Sequence, residues 1–389
     1  MRPRGEIVSR VLRTLEDIDA IACDWRALER LCADPLVYFQ SFDWCRNWVA
    51  EFGRSGKHRP YVVTLWDGDL LIAVWPRMIV DMAGIQRLET LGAPHSQYCG
   101  VLVRPDVLPV SEMSRYLRDE IRAAGCDVTI SRAVPEGSVL AQILADKPEV
   151  EGSANMASML DLSHFESSEH YTSQLGKLQK RNRNRRRNHL ARLGELHFEV
   201  LWPGDAQFRK LVRLCAEMKR RWIAETGRVS VGFSMPGYED FLANLEGDRD
   251  SLSGACLSVL RAGDRVVALE LGMLRNGHYY AYIGGFDWAL RDLSPGKVQM
   301  DLTVGWLIDN GIKAYDLLIN PADYKASWTN TAIAVTARAE ALSWKGRLYA
   351  CAWLPRLRPA LKRLHGQWPV MVERAGHVLR PGVCLLLYV

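Results

Sequence analysis

The chain has 389 residues, of which 48% are hydrophobic and 24% charged, and its formal net charge is +5. This length is enough for two or three domains with buried cores, and the composition excludes a disordered or collagen-like chain. The 9 cysteines are scattered and form no Cys-x-x-Cys pair, and the histidines form no His-Glu-x-x-His motif. We therefore expect reduced thiols and no metal site.

Targeting and membrane signals are weak in this sequence. The first residues are basic, but they lack the continuous apolar segment of a signal peptide. No stretch has the apolar length that a transmembrane helix requires. The expected location is the cytoplasm.

The first part of the chain alternates predicted helices with predicted strands. Apolar spacing predicts helices over 17–31, 40–52 and 111–124, and strands over 61–65, 70–78, 88–91, 98–103 and 127–130. Asp67-Gly68-Asp69 lies between two of these strands and is typical of a hairpin turn. This order of elements predicts a mixed α/β sheet domain.

The loop at residues 92–97 and the residue after it carry polar side chains. Loops often hold binding residues, so these side chains could contact an acceptor molecule. The alternative is a turn whose polar groups satisfy its own backbone. The side chains concerned are those of His95, Ser96, Gln97 and Tyr98.

A charged segment follows a predicted domain boundary at 149–158 and a short predicted strand at 159–162. Residues 171–194 contain 8 Lys or Arg and no acid, and their leucines keep a weak helical spacing, which predicts one long helix. Such a helix can attract the phosphates of CoA, a nucleotide-sugar or polymer anion, or RNA. Few aromatic residues are interleaved, which argues against sequence-specific RNA recognition. The alternative is a solvated helix without a ligand.

The next part of the chain predicts an amphipathic helix, a loop and a meander of strands. The helix covers 208–226 and places Leu211, Leu214, Met218 and Trp222 on one stripe, which we interpret as core. A loop over 227–235 and a helix over 238–245 follow. Strands are predicted over 255–261, 266–274 and 279–286.

Residues 294–319 predict a helix followed by a strand. Ser294-Pro295-Gly296 has the features of a helix start and Asn310-Gly311 those of a stop. Polar and apolar residues alternate from 297 to 304, which favours a strand, but the caps and the length favour a helix. A strand, a glycine turn and a helix N-terminus together form an anion site. The alternative is an ordinary capped crossover.

Three sequence runs resemble one family of enzymes. GGFDWALRDLSPGKV, GWLIDNGIKAYDLL and YKASW are similar to the GNAT-like acyltransferases of the FemAB-related CelD/BcsL class, which is linked to bacterial polysaccharide biosynthesis. LGAPHSQYCGVLV and the basic run before residue 194 resemble the same family. The chain differs from it at Asn320-Pro321, where the family usually has a glycine.

The resemblance implies an α/β fold with two GNAT-like domains, each a mixed sheet flanked by helices. Residues 1–155 would form a degenerate domain and residues 156–345 the domain that binds acyl-CoA. A basic helical extension would follow at 346–389, packed on the protein or lying against an anionic surface or partner.

The resemblance also implies where acyl-CoA, as acetyl-CoA or a longer thioester, would bind. In this family the helix after the central strand receives the pyrophosphate. Carried over, this implicates the backbone of Leu293, Ser294, Pro295, Gly296, Lys297 and Val298. Paired glycines in the preceding strand permit a bulge that leaves a backbone N–H free to polarise the thioester carbonyl; the alternative is a simple strand end. This segment comprises Tyr282, Ile283, Gly284 and Gly285.

Four side chains are candidates for catalysis. Asp316 matches an Asp of the family, with a structural hydrogen-bonding role as the alternative. Glu270 lies in an otherwise apolar strand, where burial would raise its pKa, although a lone carboxylate there can also face solvent. By the resemblance, Tyr324 could protonate the departing thiolate, unless it only packs against Trp328. Lys325 could bind phosphate or the acceptor.

Three functions follow as hypotheses. The first is transfer of an acetyl or longer acyl group from acyl-CoA to an amine or hydroxyl, without a covalent enzyme intermediate. A sugar or polysaccharide precursor is one candidate for the acceptor. The second is a Fem-type aminoacyltransferase that uses aminoacyl-tRNA, with residues 171–194 contacting RNA. The third is a non-catalytic module that binds anions.

Overall fold

The computed structural model describes residues 6–105, 107–150, 152–319 and 325–357. They form two compact units, the first from the described parts of Met1–Asn155 and Ala334–Val389, and the second from those of Met156–Ile333. The chain therefore leaves the first unit and later returns to it. Residues 334–345, which the sequence analysis assigns to the second domain, are grouped with the first unit.

The strands of the described residues are listed here in chain order. They are β1 Ile7–Leu12, β2 His58–Asp67, β3 Leu70–Met82, β4 Ile85–Thr90, β5 Leu102–Val103, β6 Val128–Pro135, β7 Asn155–Asp161, β8 Leu196–Leu201, β9 Gly247–Asp248, β10 Ser253–Ala262, β11 Arg265–Arg275, β12 His278–Phe286, β13 Ala314–Asp316 and β14 Thr331–Ala341.

The α-helices follow the same convention. They are α1 Leu15–Ala20, α2 Ala22–Leu31, α3 Phe42–Phe52, α4 Val110–Ala123, α5 Val139–Ile143, α6 Ser168–Gln174, α7 Lys177–Ala191, α8 Phe208–Glu225, α9 Val231–Ser234, α10 Tyr238–Ala243, α11 Pro295–Asp309 and α12 Trp344–Leu348.

The sheet of the first unit has the order β1-β2-β3-β4-β6-β14. Neighbouring strands are antiparallel except β4 and β6, which are parallel. The predicted β2–β3 hairpin is confirmed, and its turn uses Gly68 at a φ of 60°. Apolar residues of α4 and α5 pack against the sheet, including Leu117 and Leu140 against the cluster that contains Tyr61 and Trp75.

Two predictions in the first unit are wrong in detail. The helix predicted over 17–31 is two helices, because the backbone at Ile21 leaves the helical region between α1 and α2. The strand predicted over 98–103 is reduced to the two residues of β5. Its first half packs elsewhere: the Cys99 amide donates to the Ala133 carbonyl, and Gly100 lies against the Gln40 side chain. Strands β1 and β14 were not predicted.

The sheet of the second unit has the order β8-β10-β11-β12-β13-β7, and β9 pairs with β10. All these pairs are antiparallel except β12 with β13. Side chains alternate between the two faces of a strand. Gly285 faces α8, whereas Ser258 and Glu270, which pair with each other across β10 and β11, lie on the face covered by α11.

The helix predicted after residue 294 is confirmed as α11, so the caps outweigh the alternation of polar and apolar residues. The strand predicted over 314–319 ends at Asp316, since Leu318 adopts a φ of 62° that no regular strand permits. The predicted loop over 227–235 contains the short helix α9. On α8 the predicted core stripe is partly wrong, because Leu211 is buried but Met218 and Trp222 are only half-buried.

The prediction of one long basic helix over residues 171–194 is also wrong. It is divided into α6 and α7, because Gly176 has an extended backbone with a ψ of 151° and serves as the N-cap of α7. The Gly176 amide donates to the Gln179 side-chain oxygen at 3.2 Å, which fixes this break.

The predicted C-terminal extension begins with α12 and continues as a π-helix over Tyr349–Leu357, and its remainder lies outside the described residues. Within the described ranges, no helix is long and apolar enough to cross a membrane. The predicted fold class, a mixed α/β architecture of sheets flanked by helices, is confirmed.

Candidate active site

Strands β12 and β13 of the second unit separate after a short parallel ladder. The ladder joins His278 to Ala314, Tyr279 to Tyr315 and Tyr280 to Asp316, and β12 then continues alone to Phe286. On that side, the rest of β12 has no partner strand among the described residues. Backbone groups on this edge can therefore hydrogen-bond to a ligand that enters the opening.

A bulge interrupts β12 at the predicted position. Leu271 of β11 is opposite Ile283 and Gly272 is opposite Ala281, so Tyr282 is the extra residue. A bulge redirects the backbone groups beside it and is common near active sites. The Tyr282 hydroxyl accepts a hydrogen bond from Tyr238 of α10 at 3.0 Å.

The two neighbouring glycines of β12 have different surroundings. A Cβ added to Gly284 would meet no atom within 4 Å. A Cβ on Gly285 would lie 2.6 Å from the Cys215 carbonyl oxygen and 3.0 Å from the Cβ of Met218, both on α8. Only Gly285 is required for the close approach of α8 to the strand.

Helix α11 begins where the unpaired part of β12 ends. Ser294 precedes it with φ 55° and ψ 50°, and Pro295 is its first residue. The Lys297 and Val298 amides point to the Ser294 carbonyl at 3.0 and 3.4 Å, while the Gly296 amide has no hydrogen-bond partner among the described residues. A Cβ on Gly296 would lie 3.5 Å from the Phe286 ring. The free edge of β12 thus leads to a positively polarised helix end.

The basic helix α7 packs against the same helix. Arg183 forms an ion pair with Asp301 of α11 at 2.7 Å, and its guanidinium also lies over the rings of Tyr171 and Trp328. Burial raises the pKa of Asp301, and Arg183, Arg187 and Arg186 oppose that rise. These arginines therefore lie near the first two turns of α11.

Several other cations of α7 face solvent. Lys177, Arg181 and Arg185 are exposed, and none of them forms an ion pair within the described parts of the chain. An exposed row of unpaired cations attracts polyanions, and that attraction weakens with salt.

Glu270 is buried in the middle of the sheet, so the alternative of a solvent-facing carboxylate is wrong. Its Oε1 accepts from the Tyr279 hydroxyl at 3.1 Å and its Oε2 from the Tyr315 hydroxyl at 2.9 Å. The two phenol rings stack with centroids 5.6 Å apart. Burial raises the pKa of Glu270 to about 7, against the smaller lowering effect of the two hydroxyls. Both carboxylate oxygens are thus already bound within the protein.

Asp316 lies at the last rung of the β12–β13 ladder and is fully buried. Its Oδ1 accepts from the Leu318 amide at 2.7 Å, and its Oδ2 lies 3.0 Å from the His278 Nε2. The aspartate therefore holds the chain turn that follows β13. His278 was not among the predicted site residues, and a histidine at the start of an aromatic strand was the available signal.

Lys325 approaches the opening from the β13 side. Its Nζ donates to the carbonyls of Leu317 at 2.6 Å and Leu318 at 3.0 Å. Burial lowers the pKa of Lys325 to about 8, Asp316 raises it and Lys219 lowers it further. Tyr324 and Asn320-Pro321 lie outside the described residues.

Lys219 of α8 is a second cation that the sequence analysis missed. Its Nζ lies 3.9 Å from the ring centroid of Trp222, and burial lowers its pKa to about 8. The signal was the adjacent run Lys219-Arg220-Arg221-Trp222, which places cations beside an apolar stripe.

The four predicted acceptor-binding residues belong to the first unit, where each has internal contacts. The His95 Nδ1 accepts from Trp48, and the Ser96 hydroxyl accepts from Trp44 and donates to the Leu91 carbonyl. The Gln97 amide donates to the His95 carbonyl at 3.3 Å, and Tyr98 is buried. These contacts are typical of a self-satisfied turn, and a role toward an acceptor stays a prediction.

Metal ligands do not cluster in the described part of the chain. No group of three or more His, Cys, Asp or Glu residues there is placed to hold an ion.

Residues 177–326 match the family profile of the acetyltransferase (GNAT) domain. The matched range contains the opening, the bulge and the helix start described above. The second unit therefore carries an acyltransferase domain of the GNAT type.

Several solved structures share the fold at low sequence identity. The C-terminal domain (DUF2156) of a protein described as a lysylphosphatidylglycerol synthetase, from Agrobacterium fabrum, aligns with a TM-score of 0.53 at 13% identity, over 87% of this chain and 95% of that one. FemX aligns with a TM-score of 0.53 at 11% identity, over 88% and 98%. A protein of unknown function from Bacteroides thetaiotaomicron aligns with a TM-score of 0.50 at 13% identity, over 86% and 99%. No curated protein matches the sequence.

Proposed function

We propose that the second unit transfers an acetyl or longer acyl group from acyl-CoA to an amine or hydroxyl by direct attack. The acceptor class we favour is a sugar or polysaccharide precursor, in line with the resemblance to the CelD/BcsL class. The observation that carries the proposal is the opening between β12 and β13, whose free strand edge leads to the start of α11.

The charge distribution around this opening supports a donor that carries phosphates. The amides at the start of α11, with Ser294, Gly296 and Lys297, can receive a pyrophosphate because the helix dipole and the unpaired N–H groups favour an anion there. The arginines of α7 near Asp301 add positive charge beside the same turns. The acyl-pantetheine arm would then lie along the free edge of β12.

The bulge offers the chemistry that the thioester needs. A backbone N–H from the segment Tyr282–Gly285 can polarise the thioester carbonyl, and a preorganised donor of this kind stabilises the developing oxyanion. Lys325 can add a positive charge from the β13 side, and Tyr324 can protonate the thiolate. Asp316 positions the turn to which Lys325 donates its hydrogen bonds, and Glu270 supports the strand pair from the opposite face.

Thermal-shift titration with acetyl-CoA, longer acyl-CoAs and free CoA tests the donor. A ligand that binds only the native state raises the unfolding temperature in a saturable way. We expect this rise in the wild type and in Gly296→Ala, whose Cβ meets only ordinary contacts. We expect no rise in Gly296→Glu, although a carboxylate at a helix N-terminus does not destabilise the helix itself.

The outcomes separate the three hypotheses. A wild type that no CoA species stabilises contradicts the proposal. In that case the exposed cations Lys177, Arg181 and Arg185 of α7 make aminoacyl-tRNA the next donor, and tRNA binding that falls steeply with salt would support it. Saturable CoA binding without thiol release in the presence of any acceptor would favour a non-catalytic module.

A further inference from the structure

Helix α8 holds one lysine in an unusual environment. The Nζ of Lys219 lies over the face of Trp222, and the Arg228 guanidinium lies over the same ring with 4.8 Å to its centroid. Lys219 forms no hydrogen bond or ion pair with any other residue that the structure describes. An ammonium group in this place has lost most of its water and gained only an aromatic face in exchange.

The packing of α8 determines where this lysine lies. Met218 and Cys215 press against Gly285, which lies beyond the β12–β13 ladder. Lys219 follows Cys215 by one helical turn and therefore lies on the same face of α8. Lys325 reaches the same region from the other strand, and the nearby charge of Lys219 lowers the pKa of Lys325. Glu270 lies on the opposite face of the sheet and does not share this environment.

Burial is the main cause that lowers the pKa of Lys219; Cys215 opposes it, and Arg228 lowers the pKa further. Burial also raises the pKa of the Cys215 thiol to about 12. The Tyr238 phenol of α10 lies near Cys215, and burial raises its pKa also. Asp316 acts on Lys325 and is bonded to His278.

The two lysines are not equivalent. Lys325 donates to two backbone carbonyls, and these bonds hold its ammonium form. The pKa values of both amines are lowered to about 8, but Lys219 has no such acceptor, so its amine is the one left available to a substrate. A neutral amine with a free lone pair is a base.

We propose that Lys219 is a catalytic residue of the acyl transfer, namely the group that takes the proton from the attacking acceptor. This inference depends on the proposed function. The acceptor nitrogen or oxygen forms a bond to the acyl carbon, the carbon–sulfur bond breaks, and its electron pair leaves on the CoA sulfur as a thiolate. The acceptor proton moves to the Lys219 Nζ, the thiolate takes its proton from Tyr324 as proposed above, and proton exchange with water restores both groups.

The first experiment needs no acceptor. Trace labelling of the folded protein with acetic anhydride, read for each lysine by mass spectrometry between about pH 6 and 10, reports the pKa of each amine. We expect Lys219 to become reactive with a midpoint near pH 8, and the exposed Lys210 on the same helix serves as the internal comparison. Free CoA should protect Lys219 severalfold and leave Lys210 unchanged.

The second experiment follows thiol release from acetyl-CoA with D-glucosamine as the acceptor. Lys219→Met and Lys219→Arg should lower kcat by about 10²–10⁴-fold, the usual effect of removing a general base, with little change in the KM for acetyl-CoA. Lys210→Met should behave as the wild type. The ratio of wild-type to Lys219→Met rates cancels the titration of the acceptor itself, and we expect this ratio to rise with pH to a plateau above about pH 8.

Each result decides one question. Labelling of Lys219 that resembles Lys210, or a rate ratio that does not depend on pH, would overturn the role of Lys219 while CoA-dependent stabilisation of the wild type leaves the proposed function standing. If CoA neither stabilises the wild type nor protects Lys219, the proposed function itself fails, and this inference with it.

Discussion

Glu270 illustrates how a single carboxylate serves the architecture of the site. Tyr279 comes from β12 and Tyr315 from β13, and each donates to a different oxygen of Glu270 on β11. The carboxylate thus connects three strands at the closed end of the opening. Because both oxygens are bound and α11 covers this face, a direct role as base is less well supported than a structural one.

The raised pKa of Glu270 predicts a stability that depends on pH. The folded state keeps the Glu270 proton up to about pH 7, whereas the unfolded chain loses it near the ordinary value of 4.5. The folded state therefore binds more protons in this window, and stability must fall as pH rises through it, by roughly 3 kcal/mol in total. Glu270→Gln keeps the shape of the side chain and removes this titration.

Urea unfolding of both proteins at several pH values checks the prediction. The difference between wild type and Glu270→Gln should change steadily between about pH 4.5 and 7 and stay constant above. Parallel curves over the whole range would show that the carboxyl does not titrate there.

At the level of residues, the sequence was better at indicating which side chains belong to the candidate site than at indicating what each of them does. Apolar neighbours correctly indicated the raised pKa of Glu270, because an almost entirely apolar strand can be identified from the sequence alone. Lys219 could not be found in this way. Its environment depends on Trp222, Arg228 and Lys325, and the last of these is distant in the chain.

The packing of α8 against β12 supports the part of β12 that does not pair with β13. A small residue at 285 lets the helix backbone approach the strand, with the Cys215 carbonyl in the space that a Cβ would occupy. The Cys215 thiol also points to the carbonyls of Leu269 and Ile283. This helix fixes one wall of the opening.

Adjacent glycines provide a matched test of that contact. Gly285→Ala forces α8 away from the strand, and overpacking of this kind costs about 1–3 kcal/mol. Gly284→Ala adds the same methyl group where no atom lies within 4 Å and should be nearly neutral. Chemical denaturation measures both, and an equal effect of the two substitutions would contradict the packing described here.

At the level of elements, the predictions were correct where the sequence contains both a start signal and a stop signal for the element. The predicted start and end of α11 were correct because the signals at Pro295 and Gly311 depend only on neighbouring residues in the sequence. The long basic helix failed because one glycine, Gly176, adopts an extended backbone that composition does not reveal. Strands β1, β8 and β14 were missed. They are stabilised by pairing with strands that are distant in the sequence, and their own residue patterns do not indicate a strand.

The chain as a whole builds its first unit from two separate segments. Strand β14 pairs with β6, and Tyr349 packs with Val128 and Ile130 while its hydroxyl accepts from Arg87 at 2.8 Å. The sequence did not predict that the chain returns to the first unit at β14, because the residues of a strand do not indicate which sheet the strand joins.

Truncating Tyr349 should therefore weaken the first unit selectively. Tyr349→Ala removes a large buried ring and leaves Arg87 without that partner, at a cost of about 3–5 kcal/mol. Trp344→Ala removes a ring that is 71% exposed and should change little. Hydrogen exchange read by mass spectrometry should show faster exchange in β6 and β14 for Tyr349→Ala, with the peptides of the second unit unaffected.

The separation of β12 and β13 affects how copies of the chain could associate. Beyond the ladder, β12 has no partner strand on the β13 side within the described ranges, and another extended polypeptide could add itself there. Natural sheets guard such edges with inward-pointing charges, lysine above all. Lys325 meets that description on the β13 side, so its ammonium group would deter strand addition between copies of the chain.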